Sequence, residues 1–447
     1  MVHKSLDNIL SGLKDSFFAE KPLNLKEMSD LFQGKKQELA SSMLQEFINS
    51  QYAQYLEQQK ATCPHCGREV CKNEDSSRII ETLLGKSKIV RPYFYCRRCK
   101  FGFAPLDEAL ELSSRRKQDD LQQIALEFLS EMPFDRASEL FEKSTGVSFS
   151  DHRLHDLLSS FVDESTIEDI LPSSEEIDRR IEEVASSGKR RPVMVVATDG
   201  AHTKIRPPGG RNDQRGQGKY REAKGFRIYM LGGDEIVQIA SWHQVTENKE
   251  EVTEAMQKAA HRIPQDKVRI CLLGDGAHWL WDSMTKAFPQ GRQILDYYHC
   301  SEYIHKVAEL QFADDPNRAL HWVEATMARL FQKKGISHVI GGLKRMQPRD
   351  NEVKKQIQKT ITYLTNNKER TGYRGVKIGG YPIGSGGIES ANKFICHTRL
   401  ERSGAWWLET NCNNMLKLRC SIVNGTFEKL FASCAIKEKI KRAYRNA

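Results

Sequence analysis

Two apolar runs in the second half of the chain each lead to an Asp-Gly pair. Residues 193–197 are apolar without a break and are followed by Thr198 and Asp199, and residues 270–273 lead in a similar way to Asp275. A continuous apolar run is typical of a strand buried on both faces, and a polar group at its end lies where the sheet opens to solvent. The pattern therefore predicts two buried strands that bring two carboxylates to one edge of a sheet.

The segments around these runs complete a series of strands and helices. Apolar segments at 226–231 and 236–242 flank a Gly-Gly-Asp-Glu turn and predict a hairpin, and a segment at 292–298 predicts the last strand. Helical periods at 248–263 and 277–288 lie between the later strands. Three antiparallel strands followed by alternating helices and parallel strands are the element order of RNase H-like folds. We therefore expect an α/β fold whose RNase H-like core has a mixed five-stranded sheet.

Helical periods dominate the N-terminal part of the chain. Residues 1–60 have helical spacing, and further helices are predicted at 119–132 and 134–143. Gly146 ends this series, and Ser150 can cap a third helix over residues 151–163. Three short helices with a glycine-containing turn before the last resemble a DNA-binding helix-turn-helix, although a plain helical bundle produces the same pattern.

Four cysteines form two Cys-x-x-Cys pairs early in the chain. Strand-like segments separate Cys63 and Cys66 from Cys96 and Cys99. Two such knuckles joined by strands supply four thiolates for one tetrahedral structural Zn²⁺, as in a zinc ribbon, with Cys71 as a spare ligand. The alternatives are a thioredoxin-like redox pair, which needs only one such motif, and unrelated buried cysteines. Basic residues around the second knuckle leave open whether the ribbon contacts DNA.

Charge and hydropathy limit the classes of protein. Lys and Arg total 68 against 59 Asp and Glu, which gives a net charge of +9 and favours a polyanionic partner. No run of 18 apolar residues exists, and the first 20 residues lack the apolar centre of a signal peptide. We therefore expect an intracellular protein without a membrane partner. An odd count of 11 cysteines in 447 residues favours metal binding in a reducing compartment over disulfides.

A third acid, Glu389, follows the glycine-rich segment 384–387 and precedes a helical pattern. The glycines allow the first turns of this helix to lie beside the two strands that carry Asp199 and Asp275. The stretch between Asp275 and Glu389 is longer than an RNase H-like fold needs, so we expect an inserted helical subdomain. Its helical periods lie at 303–310, 319–331 and 352–366.

A glycine-rich basic stretch lies between the first two predicted strands of the sheet. Residues 202–227 carry eight Lys and Arg side chains against only Asp213 and Glu222. We expect a flexible loop that contacts DNA phosphates, with a solvated loop that has no partner as the alternative. The candidate DNA-binding residues are Lys204, Arg206, Arg211, Arg215, Lys219, Arg221, Lys224 and Arg227.

The acidic motifs resemble those of a known enzyme family. Thr-Asp-Gly at 198–200, Leu-Gly-Asp-Gly-Ala at 273–277 and Tyr-Pro-Ile-Gly-Ser-Gly-Gly-Ile-Glu at 381–389 are similar, in this order, to the three acidic motifs of DDE transposases of the ISKra type. The segment at 398–407 and the cysteine ribbon are similar too, while Gly386-Gly387 and Trp406-Trp407 depart from the family pattern without touching an acid. The resemblance implies a bacterial insertion-sequence transposase that acts as a homo-oligomer on transposon ends and target DNA, in the cytoplasm near the nucleoid.

Three carboxylates also suit phosphodiester chemistry without any reference to a family. Two Mg²⁺ or Mn²⁺ ions held by oxygen ligands activate an attacking oxygen and stabilise a leaving one. We therefore expect Asp199, Asp275 and Glu389 to be the catalytic metal ligands. Water would nick the element end, and the freed 3′-hydroxyl would attack target DNA without ATP or a covalent protein intermediate. Any one Asp-Gly pair alone is more often a simple turn.

Three accessory residues lie close to these acids in sequence. Lys393 is four residues after Glu389, so on an α-helix it would share the face of the acid and could contact a phosphate, although an ordinary surface lysine fits equally well. Asp296 and His299 resemble the Asp-x-x-His motif with which several DDE families begin their insertion. We expect His299 to lie beside the acids and act without binding metal, with a plain helix cap as the alternative.

The predicted organisation has seven parts. A helical region at 1–60, the ribbon at 61–107, the helical region at 108–165 and an acidic, serine-rich linker at 166–191 precede the core. The core occupies 192–298 and is completed by 379–447, with the insertion at 299–378 between them. The predicted activity is DNA cleavage and strand transfer. The alternatives are an RNase H-like nuclease or resolvase without strand transfer, and a domesticated DNA-binding protein that no longer cuts.

Overall fold

The chain forms two compact units in a computed structural model that describes residues 11, 22–163, 165–186, 190–207, 218–232 and 235–445. Unit 1 comprises residues 1–164 and 429–447, and unit 2 comprises residues 165–428. None of the helices within the described ranges combines the length and the apolar character needed to cross a membrane.

Unit 1 begins with two helices and a four-stranded antiparallel sheet. A capping box of Asn24 and Glu27 starts the first helix. The sheet has the order β1-β2-β3-β4, and β2 and β3 form its central hairpin, paired from Lys72–Phe94 to Thr82–Gly85 around the turn at Leu83 and Leu84. The elements are α1 (Leu25–Gln51), α2 (Ala53–Leu56), β1 (Lys60–Thr62), β2 (Glu69–Thr82), β3 (Gly85–Cys96) and β4 (Phe101–Phe103).

A short helix follows the sheet, and three amphipathic helices come after it, as the hydrophobic periods predicted. They pack against one another, and Phe141 makes edge contacts with Phe128 and Phe149 in their shared core. Gly146 ends the second of them with φ of 69°, a conformation that glycine adopts without strain. The helices are α3 (Pro105–Ala109), α4 (Asp119–Glu131), α5 (Phe134–Thr145) and α6 (Asp151–Val162). Their use as a helix-turn-helix stays a prediction.

The segment predicted as a linker is structured over most of its length. It contains α7 (Ile167–Ile170) and α8 (Ser174–Ala185), and the side chains of Ile170, Ile177 and Ile181 are buried. The acidic side chains that suggested a solvated linker occupy the outer face of α8, while its isoleucines fall at helical spacing. These residues belong to unit 2 and do not form an extended bridge.

Unit 2 is built on the predicted mixed five-stranded sheet. Its strand order is β7-β6-β5-β8-β9, in which β5, β6 and β7 are antiparallel neighbours and β8 and β9 continue parallel to β5. Side chains 193–197 of the central strand are all buried. The strands are β5 (Val193–Ile205), β6 (Lys219–Gly232), β7 (Glu235–Val245), β8 (Arg269–Gly274) and β9 (Arg292–Leu295).

Two strand predictions need correction. The first strand does not end at Asp199, because β5 and β6 remain paired from Met194–Met230 to Ile205–Lys219. The predicted flexible loop at 202–227 is therefore strand at both ends, and residues 208–217 lie outside the described residues. The last strand ends at Leu295, three residues earlier than predicted, because Asp296 caps the next helix.

Helices flank the sheet and form the predicted insertion. The helices between the strands are α9 (Lys249–His261) and α10 (His278–Ala287). The insertion consists of α11 (Tyr297–Gln311), α12 (Pro316–Leu330), α13 (Gly335–Arg345), α14 (Asn351–Asn366) and α15 (Tyr373–Ile378). Of these, α13 and α15 were not predicted, although the buried Ile336, Val339 and Leu343 of α13 follow a helical period.

The chain ends in a broken helix and two long ones. A six-residue π-helix (Asn392–His397) directly follows α16 and leads into a short α-helical turn. Helix α18 packs on β7, where the Asn424 side chain accepts a hydrogen bond from the Ser241 amide at 2.7 Å. The helices are α16 (Gly386–Ala391), α17 (Thr398–Leu400), α18 (Glu409–Asn424) and α19 (Phe427–Arg445).

Candidate functional site

Asp199 lies on the central strand of the sheet, two residues beyond the last residue of β5 that pairs with β8. Because β8 ends there, one side of β5 is open at Asp199, and its side chain is half-buried. The Gly200 amide donates to its Oδ1 at 2.8 Å, and the Asn392 amide group donates to its Oδ2 at 2.9 Å. Each carboxylate oxygen therefore has one protein donor and a remaining lone pair.

Asp275 follows β8 directly and is held by the turn that it begins. Its Oδ1 accepts from the Ala277 amide at 2.9 Å, and its main-chain carbonyl accepts from the Tyr363 hydroxyl at 2.7 Å. Gly276 has φ of 104°, and a Cβ there would lie 3.0 Å from Tyr363 and Asn367 atoms, so the turn requires glycine. The insertion helix α14 thus supports the backbone of the second acid.

Glu389 lies on the first turn of α16, and the glycine-rich segment before it allows this helix to approach the sheet. A Cβ on Gly387 would lie 2.3 Å from the Tyr229 ring, and the Arg227 guanidinium donates to the Gly387 carbonyl at 2.7 Å. The Glu389 Oε1 accepts from the Ser385 hydroxyl at 2.7 Å, and its side chain is exposed. Tyr229 and Arg227 of β6 therefore position the start of the helix that carries the third acid, and the Ser385 hydroxyl holds its carboxylate.

The three acids act on one another electrostatically. Burial raises the pKa of Asp199, and the negative charges of Asp275 and Glu389 raise it further against the opposing effects of the Gly200 amide and His299. Among the described residues, only the four-cysteine cluster has all its possible ligand atoms within 4.8 Å of one another. The carboxylate oxygens of Asp199, Asp275 and Glu389 are therefore more widely spaced than that. The carboxylates form an open, negatively charged edge that a hard cation would draw together.

Asp296 and His299 lie where β9 meets the insertion. Asp296 is fully buried, and its Oδ1 caps α11 by accepting from the amides of Tyr298 at 2.5 Å and His299 at 3.0 Å. Its Oδ2 also accepts from the Ser385 amide, so it links the insertion to the start of the Glu389 helix. The cap that sequence reasoning left as an alternative is therefore present.

The His299 imidazole is half-buried and faces several carboxylates. Burial lowers its pKa, but the charges of Asp296, Glu302 and Asp275 outweigh this effect and raise the pKa above its usual value. The Nδ1 of His299 lies 3.3 Å from Glu302 Oε2. His299 thus lies within electrostatic range of Asp275 and Asp199, while its part in any reaction stays a prediction.

The basic side chains of residues 202–227, which were predicted to bind DNA, lie in different environments. Lys224 is buried and donates to the Thr246 carbonyl at 2.8 Å, and Arg227 is buried and donates to Gln238 and Gly387. Neither can reach a phosphate while it keeps these partners. Arg211 and Arg215 lie outside the described residues. Partly or fully exposed side chains remain at Lys204, Arg206, Lys219 and Arg221.

Lys393 is exposed, but the prediction that it shares one face of a regular α-helix with Glu389 needs correction. The α-helical spacing ends at Ala391 and the π-helix begins at Asn392, so Lys393 does not follow Glu389 by one regular α-turn. The same helix carries the buried Asn392, which sequence reasoning missed although it lies three residues after Glu389. His243 on β7, which contacts Asn392, interrupts an apolar strand and gave no sequence indication of a role.

The four predicted cysteines form a compact cluster in unit 1. All four Sγ atoms lie within 4.8 Å of one another, and the Sγ atoms of Cys66 and Cys96 are 3.7 Å apart. A tetrahedral zinc with Zn–S bonds of about 2.3 Å places two sulfur atoms about 3.8 Å apart. The cluster therefore fits a structural zinc ion. Cys71 is exposed and is not part of it.

Main-chain donors near the second knuckle favour a thiolate. The Cys99 amide donates to the Cys96 sulfur and, with further donors, lowers the pKa of Cys96 to about 7 despite burial. The hydrogen bond of the Cys99 thiol with Cys66 and burial together raise the pKa of Cys99 to about 12 in the metal-free cluster. Cys96 therefore ionises more readily than Cys99, and a bound zinc ion would favour the thiolate form of all four cysteines.

The sequence profile of the Uncharacterised protein family (UPF0236) matches residues 18–432. The chain belongs to this family. No curated protein matches the UPF0236 chain. Among solved structures, it is similar to a chain of the Drosophila P element transposase strand transfer complex, with 9% sequence identity, a TM-score of 0.24, and coverage of 70% of this chain and 79% of that one.

Proposed function

We propose that this UPF0236 chain is a DDE transposase that cleaves DNA at the ends of an insertion sequence and transfers the freed strand to target DNA. The observation that carries the proposal is the placement of three acids from separate elements beside one sheet edge, with Asp199 on β5, Asp275 directly after β8 and Glu389 on the first turn of α16. The strand order β7-β6-β5-β8-β9 with its parallel and antiparallel pairs supports an RNase H-like core.

The donor set fits hard divalent cations. Asp199, Asp275 and Glu389 offer carboxylate oxygens, and the pKa of Asp199 is raised by burial and then by the charges of Asp275 and Glu389, which a bound cation would neutralise. These residues would hold two Mg²⁺ or Mn²⁺ ions, which would activate the attacking oxygen and stabilise the leaving oxygen of a phosphodiester. The ISKra type of the enzyme is part of the proposal.

The other residues of this edge would orient the acids and the DNA. Asn392 and the Gly200 amide hold the Asp199 carboxylate, and Tyr363 holds the Asp275 turn. His299 would lie beside the DNA backbone, where its imidazole could orient the DNA or shuttle a proton, and Lys393 would contact a phosphate. We further propose that Lys204, Arg206, Lys219 and Arg221 contact DNA, and that the protein acts as a homo-oligomer on paired ends.

A cleavage and joining assay tests the proposal. The full chain is incubated with labelled duplex DNA that carries the terminal inverted repeats flanking its gene, a target plasmid, and Mg²⁺ or Mn²⁺. We expect nicks at the repeat ends and joined products in the target. Cleavage without joining would indicate a nuclease or resolvase, and binding without cleavage would indicate a DNA-binding protein. A scrambled repeat of the same composition controls for sequence-independent nicking.

A further inference from the structure

A buried chain of side chains leads from edge strand β7 to Asp199. His243 on β7 and Asn392 at the start of the π-helix are almost completely buried, with exposed fractions of 1% and 3%. The His243 Nε2 lies 2.8 Å from the Asn392 Oδ1, and the Asn392 Nδ2 donates to the Asp199 Oδ2 at 2.9 Å. The side chains of His243 and Asn392 thus form a hydrogen-bonded chain that leads to the Asp199 carboxylate.

The hydrogen-bond chemistry fixes the direction of this chain. A carboxylate that binds a cation is ionised and can only accept, so Asn392 must turn its amide nitrogen to Asp199. Its Oδ1 then faces His243, which must carry its proton on Nε2 to donate. Burial lowers the pKa of His243 to about 4, so its ring is neutral and has one proton to give.

Local packing holds both members in place. A Cβ on Gly225 would lie 2.2 Å from the His243 Cδ2, so the imidazole fits only because β6 has glycine at that position. Asn392 is the first residue of the π-helix. The Arg419 guanidinium donates to the carbonyls of Phe394 and Ile395 in this helix. The π-helix that directly follows the Glu389 helix therefore holds the amide that reaches Asp199.

We infer that Asn392 is a positioning residue that fixes the Asp199 carboxylate for metal binding, and that His243 fixes the orientation of the Asn392 amide. The inference rests on the proposed function, because it assigns a role in that same site. Asn392 occupies one lone pair of Oδ2, so the rotation of the carboxylate is restricted and the remaining lone pairs face the open edge. Loss of such an outer partner typically costs about 10–100-fold in metal affinity or activity.

Mn²⁺ binding to the full chain tests the role of Asn392 without DNA. Isothermal titration of the wild type is compared with Asn392→Ala and with Glu254→Gln, an exposed acid on α9, as the control. We expect Asn392→Ala to weaken Mn²⁺ binding about 10–100-fold and to raise the Mn²⁺ concentration that gives half-maximal cleavage, with partial recovery at saturating Mn²⁺. Wild-type Mn²⁺ affinity in a folded Asn392→Ala protein would overturn the inference.

A pair of variants at position 243 tests the second step. A glutamine can still donate to the Asn392 Oδ1, whereas a leucine cannot, so His243→Gln should bind Mn²⁺ more tightly than His243→Leu. Equal affinities of two folded variants would contradict the role of His243. Thermal unfolding of each variant shows whether it is folded.

The tautomer of His243 separates this inference from the proposed function. Nitrogen-15 NMR of the imidazole should show the proton on Nε2 in the wild type, and a proton on Nδ1 would overturn the hydrogen-bonded chain. A wild type that binds no Mn²⁺ and cuts no DNA would overturn the proposed function and the metal-positioning role with it. The NMR result would still decide whether His243 orients Asn392.

Discussion

The cysteine cluster of unit 1 and the acidic cluster of unit 2 are assembled in different ways. The four thiols come from two tight turns of one small sheet and already lie within 4.8 Å of one another. The acids come from a strand, a turn and a helix far apart in sequence, and Glu389 is hydrogen-bonded to Ser385. A structural ion needs a closed set of ligands, whereas a reactive site must leave room for its substrate. The comparison teaches that local turns can build the first kind of site, while the second depends on the whole fold.

Loss of the cysteine cluster should have the largest effect on stability. Cys63→Ser, or chelation of the metal, should unfold residues 61–105, because so small a segment has little core and structural zinc contributes about 10–16 kcal/mol in small domains. Metal analysis of the purified protein and hydrogen exchange of this segment measure the effect. Cys71→Ser, an exposed cysteine outside the cluster, is the matched control. Protein purified without chelator that contains no metal would contradict this prediction.

Loss of one acid should have the largest effect on activity. Asp199→Asn, Asp275→Asn or Glu389→Gln should each reduce cleavage at least about 10³-fold, since a lost metal ligand removes about 4 kcal/mol of transition-state stabilisation. DNA binding in a gel-shift assay should remain, because the basic surfaces are unchanged. Glu254→Gln should cut like the wild type. Any acid variant that cuts at the wild-type rate would exclude that residue from the site.

Asp107 provides a structural counterpart to the three acids proposed to be catalytic. Burial raises its pKa, but Arg91 at 2.7 Å and Arg78 at 2.8 Å outweigh this and lower the pKa below its usual value. Asp107→Asn should destabilise unit 1 by about 2 kcal/mol, because it leaves two largely buried guanidinium groups without their anion. Chemical denaturation measures this, and Asp75→Asn, in an exposed pair, should change stability by less than about 0.5 kcal/mol.

The pH dependence of the Asp107 contribution has a defined sign. Because its folded pKa lies below its unfolded pKa, the stabilisation is complete above the usual pKa of aspartate and is lost as the pH falls through the lower, folded value. The difference in stability between wild type and Asp107→Asn should therefore shrink as the pH falls below about 4. A difference that stays constant down to strongly acidic pH would show that shape, and not charge, gives Asp107 its effect.

Asp199 should show the opposite sign with a smaller magnitude. Its folded pKa is raised, so ionised Asp199 destabilises the metal-free fold once the pH exceeds the unfolded pKa. Asp199→Asn should therefore raise the melting temperature of metal-free protein at neutral pH, by about 2–4 °C, and this gain should vanish in acid. Mg²⁺ should stabilise the wild type more than the variant. A lower melting temperature for Asp199→Asn at neutral pH would contradict the electrostatic account.

Much of the fold followed from hydrophobic periods. The apolar runs at 193–197 and 270–273 identified β5 and β8, and the hairpin turn identified β6 and β7. The extension of β5 past Asp199 was missed because Gly200 looks like a strand end, whereas pairing with β6 continues through it. Helix α8 was predicted as a solvated linker because most of its residues are acidic or otherwise polar, which hid the helical spacing of its buried isoleucines.

The candidate sites differ in how far the sequence could predict them. Paired cysteine spacing predicted every member of the cysteine cluster, because local turns set the geometry. The acids were found by motif, but the buried environments of Lys224 and Arg227 depend on partners contributed by other elements. Asn392 and His243 are joined only by tertiary contact between the π-helix and β7, so no spacing along the chain could connect them.

Anomalous diffraction from Mn²⁺-soaked crystals of the full chain tests the central claim most directly. The account predicts strong manganese peaks within about 2.5 Å of carboxylate oxygens of Asp199, Asp275 and Glu389, with Glu389 released from Ser385, and no such peaks in Asp199→Asn crystals. Peaks only at other acids, or none at these three at a manganese concentration that supports cleavage, would contradict it.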